Sequence, residues 1–397
     1  MELKFIISRF AVLAVLLASQ GCLFLWVRGV IAASGWSQPT RRRLTAGVGL
    51  AFALFGALNL VVLLRPIAWV DPPLLAQVGL LYPVAVWNFG AIFSALAVLA
   101  IRAGRALAPA AVSRLPRLAR LADPLPVDPG RRRLLKAAVG GVAAGPVVLS
   151  GYGAAYASMA YEVEEVNLSF GCPLRVVQLT DIHAGLYMTR REMRRYADRV
   201  NRLKPDLLVL TGDFVTNSLS YLPGCLEEMG RIDARYGAFA VLGNHEHYCG
   251  TLPDIRAAFG DSRIVLLRNA HRILHTPCGR FAVAGIDDLR TGRPDLAAAL
   301  QGLDRGIPML LLSHQPEVFP EAASHEVPLT LSGHWHGGQI TMRLPGLDLS
   351  IAHLVSPYPE GLFRIGGSHL YVSRGIGTTG APVRLNAPPE ITLLHLT

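Results

Sequence analysis

Five short clusters of carboxylate, amide and imidazole residues recur along the second half of this chain, each placed just behind a run of aliphatic residues. They are Asp181-Ile182-His183, Gly212-Asp213, Gly243-Asn244-His245-Glu246, Ser313-His314 and Gly333-His334-Trp335-His336. A lone His or Asp behind a strand is ordinarily a satisfied structural group. A series of five predicts a common rim, because sites in α/β domains are built at the carboxyl ends of the strands. The donors are two Asp, one Asn and several His, with no Cys among them. Mixed oxygen and nitrogen donors suit divalent Mn, Fe or Zn better than a thiolate zinc site. The set also exceeds what one ion needs. Two cations about 3.5–4 Å apart, sharing one carboxylate, can clamp a phosphoryl group and activate water. The chemistry expected is metal-assisted hydrolysis of a phosphoester.

The elements that must position these residues follow from pattern. Short β-rich runs lie at 175–180, 207–211, 238–242, 264–267, 281–286, 309–312, 329–331, 370–373 and 391–396. Stretches with helical character fit between them at 189–204, 225–235, 251–260, 295–303 and 316–325. Such alternation predicts a layered α/β domain over residues 161–397.

The first half reads differently. Of the 397 residues 51% are hydrophobic and 17% charged, with a formal net charge of +10. This excludes a disordered, collagen-like or disulfide-miniprotein chain. Residues 1–160 hold 16 Lys and Arg against 4 Asp and Glu, whereas residues 161–397 hold 22 against 24. The basic excess therefore sits beside the apolar runs. Phe10–Ser34, Leu44–Leu64 and Leu74–Ile101 are each long enough to cross a bilayer, and Leu134–Ser158, rich in Gly and Ala, is a weaker fourth run. Arg41, Arg42 and Arg43 lie between the first two. Arg102, Arg105, Arg114, Arg117, Arg120, Arg131, Arg132, Arg133 and Lys136 lie between the last two. Basic loops stay in the cytoplasm, so four spans place the catalytic half outside, at the periplasmic face of a bacterial inner membrane. The organisation expected is transmembrane helices one to three over 1–102, a Pro-rich basic cytoplasmic linker over 103–133, a fourth helix over 134–160 and the α/β domain over 161–397. Arg131-Arg132-Arg133-Leu134-Leu135-Lys136 also resembles a twin-arginine export signal; an ordinary basic flank explains it equally well.

The five clusters, in this order over residues 174–397, resemble the calcineurin-like metallophosphoesterase superfamily. The resemblance implies a four-layer αββα sandwich. It implies that Asp181, His183 and His336 hold one metal, Asn244, His314 and His334 a second, and that Asp213 bridges both. His245 is then a catalytic non-ligand that polarises the phosphate and serves the leaving oxygen. Val209–Asp213, Ser332–Gln339 and Tyr371–Leu394 look like a bacterial subgroup of exported or membrane-tethered phosphodiesterases and of transmembrane proteins with a metallophosphoesterase domain. Some of its relatives are linked to UDP-2,3-diacylglucosamine hydrolysis, so the resemblance implies a substrate of that type. Trp335 departs from the subgroup, standing where a small polar residue is common and where it could narrow the substrate entrance or stack within it. The external placement also departs, because a nucleotide-linked lipid precursor is cytoplasmic.

Weaker signals leave alternatives open. Arg190, Arg191, Arg194, Arg195, Arg199 and Arg202 share a helix face that reads as a solvated surface or as a lipid-headgroup surface. Arg374 and Arg384 read as phosphate binders or as structural ion-pair partners. His247 lines the site or lies behind it. Cys172, Cys225, Cys249 and Cys278 allow three pairings or none. The reading that combines these features is a membrane-anchored dinuclear-metal phosphohydrolase acting on a lipid-linked or membrane-proximal phosphoester, with the bilayer as partner. A nucleic-acid phosphodiesterase is the alternative, and the acidic balance of residues 161–397 counts against nucleic acid as a partner. A non-catalytic membrane sensor with a metal site is the other.

Overall fold

The computed structural model describes residues 2–64, 72–114, 129–304 and 306–397. They form two compact units, one of long helices from the first half and one built on residues 155–397. Arg117, Arg120 and the middle of the Pro-rich linker, 115–128, fall outside the described residues, as does most of the loop at 65–73.

The helical unit contains Glu2–Ala32, Gln38–Leu64, Tyr82–Arg114 and Pro129–Met159. Helix Tyr82–Arg114 continues into the segment read from sequence as linker. Among the described residues, four stretches are long and apolar enough to cross a membrane: Phe10–Ala32, Gln38–Val62, Leu74–Leu107 and Ala137–Tyr156. Their outer faces are apolar, with Leu50, Leu96 and Val148 exposed, as lipid contact requires. Inside, Leu23, Ala91, Val98 and Ala143 pack together, and Trp87 stacks on Phe55 with ring centroids 4.6 Å apart. Gln20 Nε2 donates to Asn88 Oδ1 and Asn88 Nδ2 to Asn59 Oδ1, at 3.1 and 2.5 Å. Side-chain hydrogen bonds of this kind hold helices together where water cannot serve.

The second unit is built on two six-stranded sheets. The first runs β1-β14-β2-β3-β4-β5, from β1 (Glu162–Leu168), β2 (Leu174–Leu179), β3 (Leu207–Thr211), β4 (Ala238–Val241), β5 (Ile264–Leu266) and β14 (Glu390–Leu396). The second runs β12-β13-β9-β8-β7-β6, from β6 (Ala270–Thr276), β7 (Gly279–Gly285), β8 (Met309–Leu312), β9 (Leu329–Ser332), β12 (Gly361–Ile365) and β13 (Ser368–Val372). A small antiparallel hairpin, β10 (Met342–Leu344) with β11 (Leu347–Leu349), stands apart. Strands β2 to β5 are parallel, as are β7, β8, β9 and β13.

Period-two alternation decides the layers. Val176, Leu207 and Val209 of the first sheet meet Val283, Leu310, Leu312 and Leu329 of the second in a core between the sheets. Their neighbours Val177, Leu179, Leu208 and Leu210 point the other way, onto Met193, Ala197, Val200 and Leu222 of the outer helices. Ala282, Ala284 and Leu311 do the same on the far side, against Leu296, Ala299 and Ala322. The result is the expected αββα sandwich. Cys172 and Cys278 form a disulfide, while Cys225 and Cys249 are free thiols. That chooses among the pairings the sequence left open.

Candidate dinuclear metal centre

The strand ends converge as the pattern required. Asp181 and His183 follow β2, Asp213 follows β3, Asn244 and His245 follow β4, His314 follows β8, and His334 and His336 follow β9. Five of these residues, Asp181, His183, Asp213, His334 and His336, have φ between 50° and 75°. Left-handed backbone is costly for non-glycine residues and persists where the surroundings enforce it, which is characteristic of functional sites. Close packing enforces it here: a Cβ at Gly243 would overlap Asp213 Oδ1, so only glycine lets these two loops approach.

The side chains form two overlapping groups. Asp181, His183 and His336 bring ligand atoms within reach of one another, and so do Asp213, His314 and His334. In the first group His183 Nε2 lies 3.0 Å from His336 Nε2, and His336 Nε2 lies 3.4 Å from Asp181 Oδ1. In the second, His314 Nε2 is 3.2 Å from Asp213 Oδ2 and 3.1 Å from His334 Nδ1. Asp213 Oδ2 also lies 3.6 Å from His183 Nε2, which puts this carboxylate between the groups. The amide of Asn244 is buried, and its Oδ1 has no hydrogen-bond partner. A buried, orphaned acceptor is costly and is what an oxygen donor kept for a cation looks like. The residues fit a pair of divalent ions.

Electrostatics agree with that fit. Burial pushes His183 and His334 down to about 3 and His336 well below its ordinary value. All three imidazoles are therefore neutral, the ligating form. Burial alone would lower His314 as well, but the Asp213 carboxylate outweighs it and raises this imidazole to about 10, so His314 carries a proton that a divalent ion held there would displace. Asp213 is held ionised by His314 and His183 against its own desolvation. The cluster accordingly favours positive charge beside Asp213.

His245 stands apart from the other histidines. Its Nδ1 is 2.5 Å from the Thr216 carbonyl oxygen, which can only accept, so Nδ1 carries the proton. Nε2 then points inward, 4.0 Å from Asp213 Oδ2. Glu246, noted in the sequence only as part of a motif, is fully buried and accepts from three backbone N–H groups: Asp213 at 3.0 Å, Gly243 at 2.9 Å and Val215 at 3.1 Å. Its signal was legible as a Glu three residues behind a helix-initiating Gly. Thr216, which orients His245, had no such signal.

Other sequence candidates land elsewhere. Arg384 is completely buried, donating to the carbonyls of Arg374, Gly375, Gly377 and Ala387 and lying 3.2 Å from His336 Nδ1. Arg374 pairs with Glu390 and Glu162 at 3.1 Å. Neither arginine is available to a substrate phosphate. The helix Arg190–Leu203 directs Arg190 and Arg194 onto Glu228. His247 bonds Asp287 at 3.0 Å, behind the site. Trp335 packs edge-on against His334, lies under the Arg290 guanidinium and donates to Glu317 at 3.0 Å.

The calcineurin-like phosphoesterase profile matches residues 174–344, which contain every one of these donors. An uncharacterized metallophosphoesterase of Bacillus subtilis, YkuE, is 31% identical over 278 residues, covering 67% of this chain and 97% of its own. The chain belongs to the calcineurin-like metallophosphoesterase family. Members of this family hydrolyse phosphoesters with divalent metals, and the chain is a hydrolase of that kind with a membrane-anchor-like helical module. A transmembrane protein with metallophosphoesterase domain from Danio rerio is 32% identical over 237 residues, 56% of this chain and 53% of its own length. The chain thus spans about half of that relative. An uncharacterized metallophosphoesterase of Aquifex aeolicus is 29% identical over 59% of this chain and 90% of its own.

Proposed function

We propose that this family member is an extracytoplasmic, membrane-anchored phosphohydrolase whose substrate is a lipid-linked or membrane-proximal phosphodiester or pyrophosphate. The observation that carries it is the complete donor set, with Asn244 Oδ1 left unpartnered in it, on a chain with four bilayer-length apolar helices. In this reading Asp181, His183 and His336 hold one divalent ion, Asn244, His314 and His334 the other, and Asp213 both. Bound ions supply positive charge against the phosphoryl oxygens and lower the pKa of water. His245, anchored through Nδ1 on Thr216, presents Nε2 to the phosphate and in its protonated form donates to the leaving oxygen. Trp335 and Arg290 shape the entrance beside His334.

Two features support the external placement. Arg41 to Arg43 and Arg102 to Lys136 are basic connections of the sort retained in the cytoplasm. The Cys172–Cys278 disulfide suits an oxidising compartment. An external site argues for a membrane lipid or lipid-linked intermediate over a cytoplasmic nucleotide lipid such as UDP-2,3-diacylglucosamine.

Purified full-length protein with Mn²⁺ should hydrolyse bis-p-nitrophenyl phosphate, and Asp213→Ala and Asn244→Ala should each abolish the activity. Undiminished turnover in both variants overturns the assignment. A periplasm-dependent reporter fused after Thr397 should be active; an inactive fusion, with a cytoplasm-dependent one active, restores the nucleotide lipid.

A further inference from the structure

We propose that the hairpin β10–β11 and the helix Ile351–Val355 form an apolar lip that enters the headgroup–acyl boundary of the bilayer anchoring this chain. The inference rests on the anchoring read above and extends it from the helices to the catalytic domain.

The lip turns its apolar side the wrong way for a soluble domain. In the helix, Ile351, Leu354 and Val355 share one face, and they are 73%, 76% and 58% exposed. The inward side holds Ala352, 1% exposed. An amphipathic helix on a water-soluble protein buries its i, i+3, i+4 apolar stripe; this one presents it. The hairpin register pairs Met342 with Leu349 and Leu344 with Leu347. Met342, Leu347 and Leu349 therefore project from one face, and the first two are 56% and 50% exposed. A contiguous apolar segment of this kind marks an interaction surface. Arg343 and Asp348 are paired across the hairpin and project from its opposite face, the polar side of an interfacial element.

Position names the bilayer as occupant. Helix Pro129–Met159 ends two residues before β1 begins at Glu162. Chain geometry then keeps Glu162 within about 10 Å of the helix end. Arg374 joins that same Glu162, at 3.1 Å, to Glu360, at 3.8 Å. Glu360 in turn pairs with Arg343 of the hairpin at 3.1 Å. One ion-pair chain therefore runs from the anchor's point of attachment to the lip.

The lip is also seated on the catalytic loop. Gly338 follows His336 by two residues, and a Cβ there would overlap Ser350 Oγ, the residue that caps the Ile351–Val355 helix. Thr341 Oγ1, at the start of the hairpin, donates to the Gly337 carbonyl at 2.6 Å. Insertion of the lip would hold the loop bearing His336 at the membrane surface, where a lipid phosphate lies.

The test is spin-label accessibility on full-length protein in nanodiscs of phosphatidylethanolamine and phosphatidylglycerol, in a Cys22→Ala, Cys249→Ser background. Labels are placed through Leu354→Cys and Ile351→Cys, with Glu321→Cys as a water-facing reference and Leu50→Cys as a reference on the second helix. The proposal expects labels at 351 and 354 to be more accessible to oxygen, and less to a nickel chelate, than the label at 321. Equal nickel accessibility at 351, 354 and 321, with 50 shielded, overturns this inference and leaves the anchoring intact. A nickel-exposed label at 50 removes the anchoring and this inference with it. Dipolar broadening at 354, marking a second copy of the chain against the lip, also overturns it.

Discussion

The carboxylate of Glu246 accepts the backbone N–H of Asp213 at 3.0 Å through the same oxygen that accepts the N–H of Gly243 at 2.9 Å. One buried side chain thereby joins the β3 loop, which carries Asp213, to the β4 loop, which carries Asn244 and His245. With Val215 on its other oxygen, Glu246 is an acceptor on both sides. Glu246→Gln must turn one N–H₂ toward a backbone donor. We expect a cost of about 1–3 kcal/mol from the unpaired group and roughly 10- to 100-fold weaker metal binding, as for groups that orient metal ligands. Thermal unfolding and metal titration of the variant check both figures.

His245 makes a separable contribution. Its ring is fixed by Thr216 and lies beside Asp213, so its loss should leave the ion-binding residues in place. His245→Gln should bind two metals per chain with near-wild-type affinity while kcat falls about 10²- to 10⁴-fold, the scale of lost general-acid help. The deficit should be large for an alkyl or phenyl leaving group and small for p-nitrophenol, which needs no proton. A uniform deficit across leaving groups would reassign His245 to phosphate binding.

The convergence of the candidate residues was legible in the sequence because the strand-end grammar carries both donor type and order. Asp181, His183, Asp213, Asn244, His314, His334 and His336 come from five strand ends spread over more than 150 residues, an order readable without any side-chain detail. What stayed hidden depends on tertiary pairing. Strand β1 reads Glu162-Val163-Glu164-Glu165-Val166-Asn167-Leu168, too acidic to look like a strand until β14 pairs with it along its whole length. Strand β6 is a half-buried edge with two His and an Arg, and among the described residues it pairs only with β7. Arg374 resembled a phosphate ligand because its carboxylate partners come from β1, β14 and the segment before β12. The disulfide joins residues 106 apart, a separation that no local pattern reports.

Arg384 should be the least replaceable cation in the domain. It is fully buried, its guanidinium meets carbonyl oxygens and not a carboxylate, and through Nη2 it reaches His336 Nδ1 at 3.2 Å. Burial lowers it to about 10, which still leaves it charged at neutral pH. Lysine has three donors on one atom and cannot span the same carbonyls. Arg384→Lys and Arg384→Met should each destabilise the domain by about 3 kcal/mol or more, because each buried carbonyl left without its donor costs about 1–3 kcal/mol. Denaturant unfolding monitored by Trp fluorescence measures the loss.

The Cys172–Cys278 bond closes a long loop, from the turn before β2 to the β6–β7 turn. In the chain-entropy account a loop of this length is worth about 4–5 kcal/mol against the unfolded state. Cys172→Ser with Cys278→Ser should therefore lower the unfolding midpoint substantially under oxidising conditions and have no additional effect once reductant is present. Cys225 and Cys249 are free, so Cys225→Ala should leave the reductant sensitivity of the parent unchanged.

His247 and Asp287 give the domain a pH signature separate from the metal centre. The Asp287 carboxylate raises His247 above its ordinary value. Burial would raise Asp287, but His247 and the Arg293 N–H bring it down to about 2. Arg268 Nε, 2.8 Å from the other oxygen, keeps the carboxylate ionised when His247 is neutral. The stabilisation from His247 is complete below the unfolded histidine value of about 6.5 and fades as pH rises through the higher folded value. The stabilisation from Asp287 is complete above the unfolded carboxylate value of about 3.9 and fades as pH falls toward about 2. Wild type should therefore exceed His247→Gln in unfolding midpoint most between about pH 4.5 and 6, and the gap should shrink in both directions. A gap that is flat from pH 4.5 to 9 would mean that His247 acts through packing alone.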